Sequence, residues 1–430
     1  ILYPYRLTVQ SGGKMATKKR AKTGFLLGLG VSILIIIVYA LARVSPFLSF
    51  FNILELKTVD VRMQLRGTRM PGGEVAIAVI DEKSVNQLGR WPWSREIFVQ
   101  LVNKLSEYGA RVIAFDVVFG ESEQHGGLSV IKKLEELYLN LGLNEKEGKH
   151  ALFYKGLKEL ESGIDSDQRL AEAIKNAGNV VLGMFAYTTL EEIKDFNQEE
   201  LEGRVALIAS QAYQDVSDSS SNHTAFSILR AHGFLTNIPA IASAGRYSGY
   251  FNFNPDPDGT IRKSELLIQY KDNYYPTLAI QAVRHYLGRS KLQVVIKEYG
   301  LEGIKIGRSF IPTDENGSFT INFNGPEKTI PHYSVVDIIR GSIERDKLQD
   351  KIILVGPTAK GIYDLRVTPM GTIYPGVEIH ANIIDNILNK NFIYHSSLEK
   401  LIDLLVILGL GLLLSLVISR LNPTNGQIIA

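Results

Sequence analysis

The amino-acid sequence predicts an α/β domain, in which a mostly parallel sheet carries helices on both faces and one β-hairpin, flanked by transmembrane helices. Between residues 45 and 395, short apolar or β-branched runs alternate with helical patterns, which is typical of a parallel sheet. Two apolar runs, 25–42 without any charge and 401–419 with Asp403 alone, approach the length of a membrane span. The turn sequence PDPDG separates two strand-like runs and predicts the hairpin.

The first βαβ unit is the clearest of the predicted elements. Residues 74–81 (EVAIAVID) are a buried strand, 94–108 are an amphipathic helix with Ser94 as its N-cap, and 111–118 (RVIAFDVV) are the next strand. The later elements are a helix at 167–177, a strand at 179–186, hairpin strands at 249–254 and 261–270, a strand at 351–356 and a helix at 376–388. The sheet is therefore expected to combine segments that are distant in sequence.

Two stretches are predicted to be additions to this frame. Residues 129–161 are rich in Lys, Glu and Leu at helical spacing, which predicts a solvated helical hairpin. Residues 191–222 are polar and irregular, which predicts a mobile loop around a short helix.

The charges beside the first apolar run predict its orientation. Five basic residues lie between positions 14 and 22, whereas Arg43 alone follows the run directly, so the positive-inside rule places residues 1–24 in the cytoplasm. Residues 45–395 are then extracytoplasmic, and 401–419 return the chain to the cytoplasm, where 420–430 begin a truncated region. A cleaved signal peptide is the alternative for the first run, although its apolar core exceeds the usual ~7–15 residues. Residues 1–14 precede Met15, a candidate initiator, and are left out of the fold prediction.

Composition excludes several classes of protein. The 430-residue chain is 45% hydrophobic and 21% charged, has a formal net charge of +2 and contains no cysteine. The absence of cysteine excludes disulfides, thiolate zinc sites and a cysteine nucleophile, and the near-neutral charge argues against nucleic-acid binding. The sequence also lacks a Walker A loop, a Rossmann glycine fingerprint, a G-x-S-x-G elbow and an H-E-x-x-H motif. We therefore expect neither a catalytic residue nor a cofactor in this chain.

Asp81 and Asp116 are the first candidate ligand-binding residues. They close two strands predicted to be neighbours, which would place both carboxylates at the C-terminal edge of the sheet, where open α/β sheets bind ligands. The alternative is that each carboxylate caps the following loop or helix by accepting backbone N–H bonds. An extracytoplasmic hydrolase that uses this pair is a further hypothesis.

A second candidate site is the segment RWPWSR, which contains Trp91, Trp93 and Arg95 just before a predicted helix. Aromatic rings beside an arginine can form a ligand cage through cation–π contacts. The alternative is that the tryptophans pack the loop onto the sheet.

Asp364, Arg366 and His380 are the third group of candidates, around a strand end and a helix start late in the chain. His380 could act as a pH sensor, and a structural histidine with satisfied hydrogen bonds is the alternative.

An acidic turn gives the nearest match to a metal site. Asn254, Asp256, Asp258 and Glu265 fit the spacing of an EF-hand calcium loop. The strand-like flanks, the two prolines and the basic residues that follow favour instead a rigid β-turn in which Gly259 has a positive φ. We expect no metal site, and these four residues are the weak candidates for one.

Six segments in series resemble the type 2 CHASE domain, a bacterial extracytoplasmic sensor module named for its association with cyclases and histidine kinases. They span about residues 50–395 and are IDEKSVNQLGRWPWSR (80–95), GARVIAFDVVFGE (109–121), SDQRLAEAIKNAGNVVLG (166–183), GYFNFNPDPDGTIRKSELL (249–267), YPTLAIQAVRHYLG (275–288) and KIILVGPTAKGIYDLRVTPMGTIYPGVEIHANIIDNIL (351–388). Residues 129–161 are longer than this family leads us to expect.

The resemblance implies the sensor part of a multi-pass receptor in the bacterial inner membrane. Its cytoplasmic output, absent from this chain, would most often be an adenylate or guanylate cyclase, and in other members a histidine or serine/threonine kinase. The expected partners are the lipid bilayer, a second copy in a homodimer, and an unknown small-molecule or periplasmic ligand, but not nucleic acid. A module that binds an envelope protein is the alternative function.

Overall fold

A computed structural model of the chain describes residues 25–26, 28–38, 49–123, 126–143, 148–219, 227–298, 300–359, 362, 365–393 and 397–420. The chain divides into two compact units, one formed by Ile1–Val59 with His395–Ala430 and the other by Asp60–Tyr394. Within the described ranges, no helix combines the length and the apolarity needed to cross a membrane.

The helices and strands of the described ranges are numbered in chain order. The helices are α1 (25–26 and 28–38), α2 (Ser49–Arg66), α3 (Glu82–Leu88), α4 (Arg95–Glu107), α5 (Gly126–Asn140), α6 (Lys149–Ile164), α7 (Ser166–Ala177), α8 (Gln198–Ile208), α9 (Pro239–Ala244), α10 (Leu278–Tyr286), α11 (Val335–Ile339), α12 (Gly376–Leu388) and α13 (Ser397–Arg420). The strands are β1 (Val75–Ile80), β2 (Val112–Phe115), β3 (Val180–Tyr187), β4 (Asp215–Asp218), β5 (Gly233–Leu235), β6 (Tyr247–Tyr250), β7 (Lys263–Glu265), β8 (Leu267–Tyr270), β9 (Asn273–Pro276), β10 (Leu292–Lys297), β11 (Gly300–Ile306), β12 (Ser309–Pro312), β13 (Ser318–Thr320), β14 (His332–Ser334), β15 (Ile352–Pro357), β16 (Leu365–Thr368) and β17 (Gly371–Pro375).

In the first unit, α1 and α13 pack through small residues. The Ser415 hydroxyl donates to the Phe25 carbonyl at 2.6 Å, and a Cβ on Gly28 would lie 2.7 Å from the Ser415 Cα. The two backbones therefore approach closely at Gly28. Large apolar side chains point away from this contact, and Leu34 and Leu410 are 59% and 57% exposed.

The second unit is built on a mostly parallel sheet in the order β14-β1-β15-β2-β3, with β6 parallel and β5 antiparallel on β3. Every residue of β1 and β2 is buried, because helices cover both faces of the sheet. Helices α4 and α7 pack on one face over Ala76, Ala78 and Ile80, while α10 and α12 contact the other face. The predicted α/β class, with helices on both faces, is confirmed for this unit.

The predicted adjacency of the first two strands is wrong. β15, from late in the chain, lies between them and pairs in parallel with β1 through Ile77 and Leu354 and with β2 through Ile353 and Ile113. Parallel strands are joined by long crossovers, so periodicity in the sequence finds the strands but does not fix their order in the sheet.

The predicted hairpin around PDPDG is also wrong. β6 pairs in parallel with β3, residues 251–254 are not in a strand, and neither segment pairs with residues 261–270. Those residues instead give β7, which pairs with β13, and β8, which forms a tight hairpin with β9. Lys271 has a φ of 51° in the turn of that hairpin.

The two predicted additions both contain helices, and the prediction for the second one is confirmed only in part. α5 and α6 form the helical hairpin, in which Tyr138 stacks on Tyr154 with ring centroids 5.5 Å apart. The region 191–222 contains the predicted helix as α8, but it also contributes β4, which pairs in parallel with β10 of the sheet β12-β11-β10-β4. Residues 220–222 lie outside the described residues.

Candidate functional site

Asp81 and Asp116 lie at the ends of strands that β15 separates, so they do not form the side-by-side pair that was predicted. The Asp81 carboxylate accepts from the Ser84 N–H and from the Ser334 hydroxyl, both at 2.8 Å, and it caps α3. The Asp116 N–H donates to the Val355 carbonyl at 2.8 Å. For Asp81, these contacts are those of the helix-cap interpretation.

Trp91 and Trp93 pack together at the start of α4. Their rings meet edge to face with centroids 5.7 Å apart, and both rings contact Phe98. The Trp93 indole N–H donates to the Gly89 carbonyl at 2.7 Å. These contacts attach the loop to the hydrophobic core, as in the packing interpretation.

Arg95 joins the first turns of two helices. Its Nε donates to the Asp167 carboxylate at 3.0 Å and its Nη2 donates to the Glu121 carbonyl at 2.6 Å. Its guanidinium lies 4.9 Å from the centre of the Phe119 ring. Because Asp167 lies in the first turn of α7, this arginine holds α7 against α4.

The acidic turn binds an arginine side chain rather than offering an open cation site. Asp256 and Asp258 accept from the Arg262 guanidinium at 2.8–2.9 Å, so a positive charge already lies where the EF-hand hypothesis puts calcium. Asn254 is exposed, and burial raises the pKa of Glu265. Among the described residues, no group of three or more His, Asp or Glu side chains could hold a metal ion. The calcium alternative therefore does not fit this geometry.

The same arginine binds α2. Arg262 is 2% exposed and makes a two-pronged contact with Asp60, with Nε and Nη2 at 2.6 and 2.7 Å from the two carboxylate oxygens. Burial disfavours its charge, but hydrogen bonds to Asp258, Asp60 and Asp256 outweigh that effect and raise the pKa of Arg262. Gly259 has a φ of 77°, as the turn prediction required. We call Arg262, Asp60, Asp256 and Asp258 the arginine cluster.

His380 lies on α12 and is 1% exposed. Its Nε2 is 3.1 Å from the Phe251 carbonyl oxygen, and its ring lies 4.5 Å from that of Phe253. Burial lowers the pKa of His380 to about 3, which the contact with Phe251 opposes only weakly, so the imidazole is neutral at neutral pH.

Helix α12 carries a row of buried polar side chains on one face, spaced three and four residues apart. The Glu378 carboxylate accepts from the Lys328 N–H at 2.9 Å. The Asn382 side-chain oxygen accepts from the Asn324 N–H at 2.8 Å, and Asp385 accepts from the Asn324 amide at 2.9 Å. This row therefore satisfies polar groups of the loop and turn that contain Asn324 and Lys328, which lie outside the strands.

The row ends at a point where both ends of the second unit, Asp60–Tyr394, meet. Asn386 accepts from the Asn322 N–H at 2.8 Å and donates to the Asn322 carbonyl at 3.0 Å. The Asn322 side chain accepts from Arg66, at the end of α2, and donates to the Asn391 carbonyl at 3.1 Å, just after α12. We call Arg66, Asn322, Asn386 and Asn391 the junction.

Arg366 lies in β16, opposite Tyr374 of β17. Asp364 lies outside the described residues, so the grouping of these two candidates stays a prediction. His380 contacts Phe251 and Phe253, which belong to a different part of the fold.

A cleft of about 420 Å³ opens beside α8. It is lined by Ile193, Phe196, Gln198, Leu201, Glu202, Ala231, His232, Tyr270 and Lys271. Sequence reasoning missed this cleft, because its walls come from three separate segments.

The family model for the CHASE2 domain matches residues 31–416 of the chain. The chain belongs to the CHASE2 family. The six segments that resemble the type 2 CHASE domain all lie within the match, so that prediction is confirmed. No curated protein and no solved structure matches the chain significantly.

Two features of this CHASE2 domain were not predicted as sites, although the sequence contains signals for both. Arg262 follows Asp256 and Asp258 at spacings of six and four residues, which suits a turn that folds back onto its own arginine. Polar residues recur at helical spacing in α12, whose remaining residues except His380 are apolar, and this pattern indicates a buried polar network. They are Glu378, Asn382, Asp385 and Asn386.

Proposed function

We propose that this chain is the extracytoplasmic sensor part of a bacterial transmembrane receptor that couples a stimulus to a cytoplasmic output. CHASE2 domains are extracellular sensors of signalling receptors, and they are not catalytic. We call the second unit, Asp60–Tyr394, the sensor unit. The observation that carries the proposal for this chain is the junction, where Asn322 is bonded both to the segment that enters the sensor unit and to the segment that leaves it.

The junction suggests how a stimulus is transmitted. A ligand that favours one packing of the sensor unit over another shifts the population between the two. Because Asn322 contacts Arg66 at the end of α2 and Asn391 just after α12, a change at this residue moves both connections together. The output we propose is an adenylate or guanylate cyclase, with a histidine or serine/threonine kinase as the alternative.

The proposed membrane anchors are the apolar runs 25–42 and 401–419. In lipid, helices associate through small residues that allow close approach, while large apolar side chains face the hydrocarbon. The contact of Gly28 with Ser415, and the exposure of Leu34 and Leu410, support this arrangement for α1 and α13. The proposed location is the inner membrane, with Asp60–Tyr394 outside the cytoplasm.

Single-cysteine labelling tests the location. The chain has no cysteine, so Ser210→Cys on the exposed surface of the sensor unit introduces the only thiol, and Thr17→Cys does the same in the basic N-terminal segment. With a membrane-impermeant maleimide on spheroplasts, Ser210→Cys should be labelled before lysis and Thr17→Cys only after it. Protection of Ser210→Cys until lysis would contradict the proposal.

We also propose that the receptor is a homodimer, because cyclase and kinase outputs of this family generally act as dimers. Three exposed apolar side chains on α5 and one just after it form a row at spacings of four, three and four. They are 44–62% exposed and are Val130, Leu134, Leu137 and Leu141. This spacing is that of a coiled-coil seam, and Lys132, Lys133, Glu135 and Glu136 give the helix no net charge that would repel a second copy.

The oligomeric state tests this second step. Light scattering of the full chain in detergent should give the mass of two copies, and Leu134→Lys with Leu137→Lys should give one. Leu287→Lys, at a position that is 39% exposed elsewhere, is the matched control and should leave the dimer intact. A monomeric wild-type chain, or a dimer that survives both α5 changes, would contradict this interface. If an envelope protein co-purifies stoichiometrically with the monomer, the interaction-module alternative gains support.

A further inference from the structure

The cleft beside α8 lies where α/β folds bind ligands. β3 belongs to the parallel sheet, and the chain leaves its carboxyl end after Tyr187 to form the cleft wall at Ile193 and Phe196. Ligands of open parallel sheets bind outside the carboxyl ends of the strands. The volume of about 420 Å³ is within the usual ~300–1,000 Å³ of a small-molecule site.

One side of the cleft is apolar and is held in place by close packing. The Phe196 ring packs on that of Tyr187 with centroids 5.5 Å apart. A Cβ on Gly233 would lie 2.8 Å from the Leu201 Cδ2, so the backbone of β5 approaches α8 as closely as a glycine allows. Phe196, Leu201 and Tyr270 give this side of the cleft an aromatic and aliphatic lining.

The other side carries two opposite charges. The Lys271 ammonium donates to the Glu202 carboxylate at 3.1 Å and so joins the β8–β9 turn to α8. Gln198 donates to the same carboxylate oxygen at 3.1 Å. Both charged side chains are about half exposed, at 61% for Lys271 and 48% for Glu202, and therefore accessible to a ligand. His232 adds a further polar group to the lining.

We propose that this cleft binds a small zwitterion with an apolar or aromatic side group, the chemical class of the apolar α-amino acids. A ligand with a single charge would be attracted by one member of the Lys271–Glu202 pair and repelled by the other. A zwitterion pairs its carboxylate with Lys271 and its ammonium with Glu202, while its side group covers Phe196 and Leu201. This inference deepens the sensor function proposed above and rests on it.

Calorimetric titration of the full chain in nanodiscs with phenylalanine tests the proposal. Phenethylamine and 3-phenylpropionate, which each lack one of the two charges, are the ligand controls. We expect saturable binding of phenylalanine and at least tenfold weaker binding of both analogues. Equal binding of all three compounds, or no saturable binding of phenylalanine or leucine, would overturn the proposal.

Substitutions in the cleft test the same site from the side of the protein. Lys271→Met and Glu202→Gln should each weaken phenylalanine binding at least tenfold. Lys297 and Glu302 form another surface pair, 3.9 Å apart on β10 and β11 and 44% and 39% exposed. Lys297→Met with Glu302→Gln should leave binding unchanged. If the cleft variants bind like wild type, the site lies elsewhere and the proposal is wrong.

The failure of this proposal can be told apart from the failure of the sensor function. If Ser210→Cys is labelled from outside the cell and phenylalanine does not bind, the ligand class is wrong while the location of the sensor stands. If phenylalanine binds and Ser210→Cys is protected until lysis, the extracytoplasmic sensor function is wrong while the site stands.

Discussion

Replacing Arg262 with methionine should lower the free energy of unfolding of the sensor unit by about 3–5 kcal/mol, the range for removal of one partner of a buried ion pair. The guanidinium is 2% exposed and donates five hydrogen bonds to Asp60, Asp256 and Asp258. Methionine has a long side chain like that of arginine but no charge, so the three carboxylates would stay clustered without the Arg262 cation. We therefore expect the loss to be near the upper end of the range.

Urea unfolding of the full chain in detergent, followed by tryptophan fluorescence, measures this loss. The chain has two tryptophans, Trp91 and Trp93, and both pack on the core of the sensor unit, so the signal reports that unit. Arg262→Lys keeps the positive charge but loses the planar guanidinium that bonds two carboxylate oxygens at once. Its free energy of unfolding should fall by about 1.5–3 kcal/mol, the range for a hydrogen bond to a charged group. Arg308→Met on the exposed surface should stay within about 0.5 kcal/mol of wild type. If Arg262→Met also stays within that limit, the reasoning about the arginine cluster is refuted.

Three further predictions concern the buried interior. The pKa of His380 is about 3 in the fold and ~6.5 when unfolded, so the unfolded state gains the proton first as pH falls. Protonation of His380 in the unfolded state should therefore lower the free energy of unfolding by about 2 kcal/mol between pH 7 and pH 5. Urea titrations at both pH values should show that His380→Phe removes this contribution. In Gly249→Ala the new Cβ would lie 2.5 Å from the Thr277 carbonyl oxygen, so urea unfolding should show a free energy of unfolding lower by about 1–3 kcal/mol. Gly203→Ala in α8 is the control, because its Cβ would have no atom within 4 Å, and it should raise the free energy of unfolding by about 0.5–1 kcal/mol. Asn386→Ala leaves the N–H and C=O of Asn322 without their side-chain partner, so the free energy of unfolding in the same assay should fall by about 1–3 kcal/mol. An unchanged value would mean that water replaces both bonds.

The elements that were predicted well from the sequence are those with a signal in their own residues. β1 is apolar at all six positions because both of its faces are covered, and α4 begins at the predicted cap Ser94. The order of strands could not be predicted, because the contact of Ile353 with Ile113 joins segments about 240 residues apart and leaves no local signal. The acidic turn was predicted as a rigid β-turn, and Gly259 has the positive φ that this prediction required. Its carboxylates were recognised, but the cation that they bind is supplied by the chain itself.

Two polar contacts attach the connecting segments to the sensor unit, and their strengths assign them different roles. The arginine cluster involves a buried charge, and breaking it costs about 3–5 kcal/mol. The junction combines neutral amide bonds of Asn322, for which a net ~0.5–1.5 kcal/mol each is typical, with one bond from the charged Arg66 side chain, for which ~1.5–3 kcal/mol is typical. A ligand needs about 5.5 kcal/mol of differential affinity to reverse a two-state population from 1:99 to 99:1. A motion that separates Arg262 from Asp60 would cost most of this differential affinity. A motion that exchanges one or two amide bonds would cost a much smaller part of it. The signalling motion in this receptor should therefore keep the arginine cluster intact as a pivot for α2 and rearrange the hydrogen bonds of Asn322.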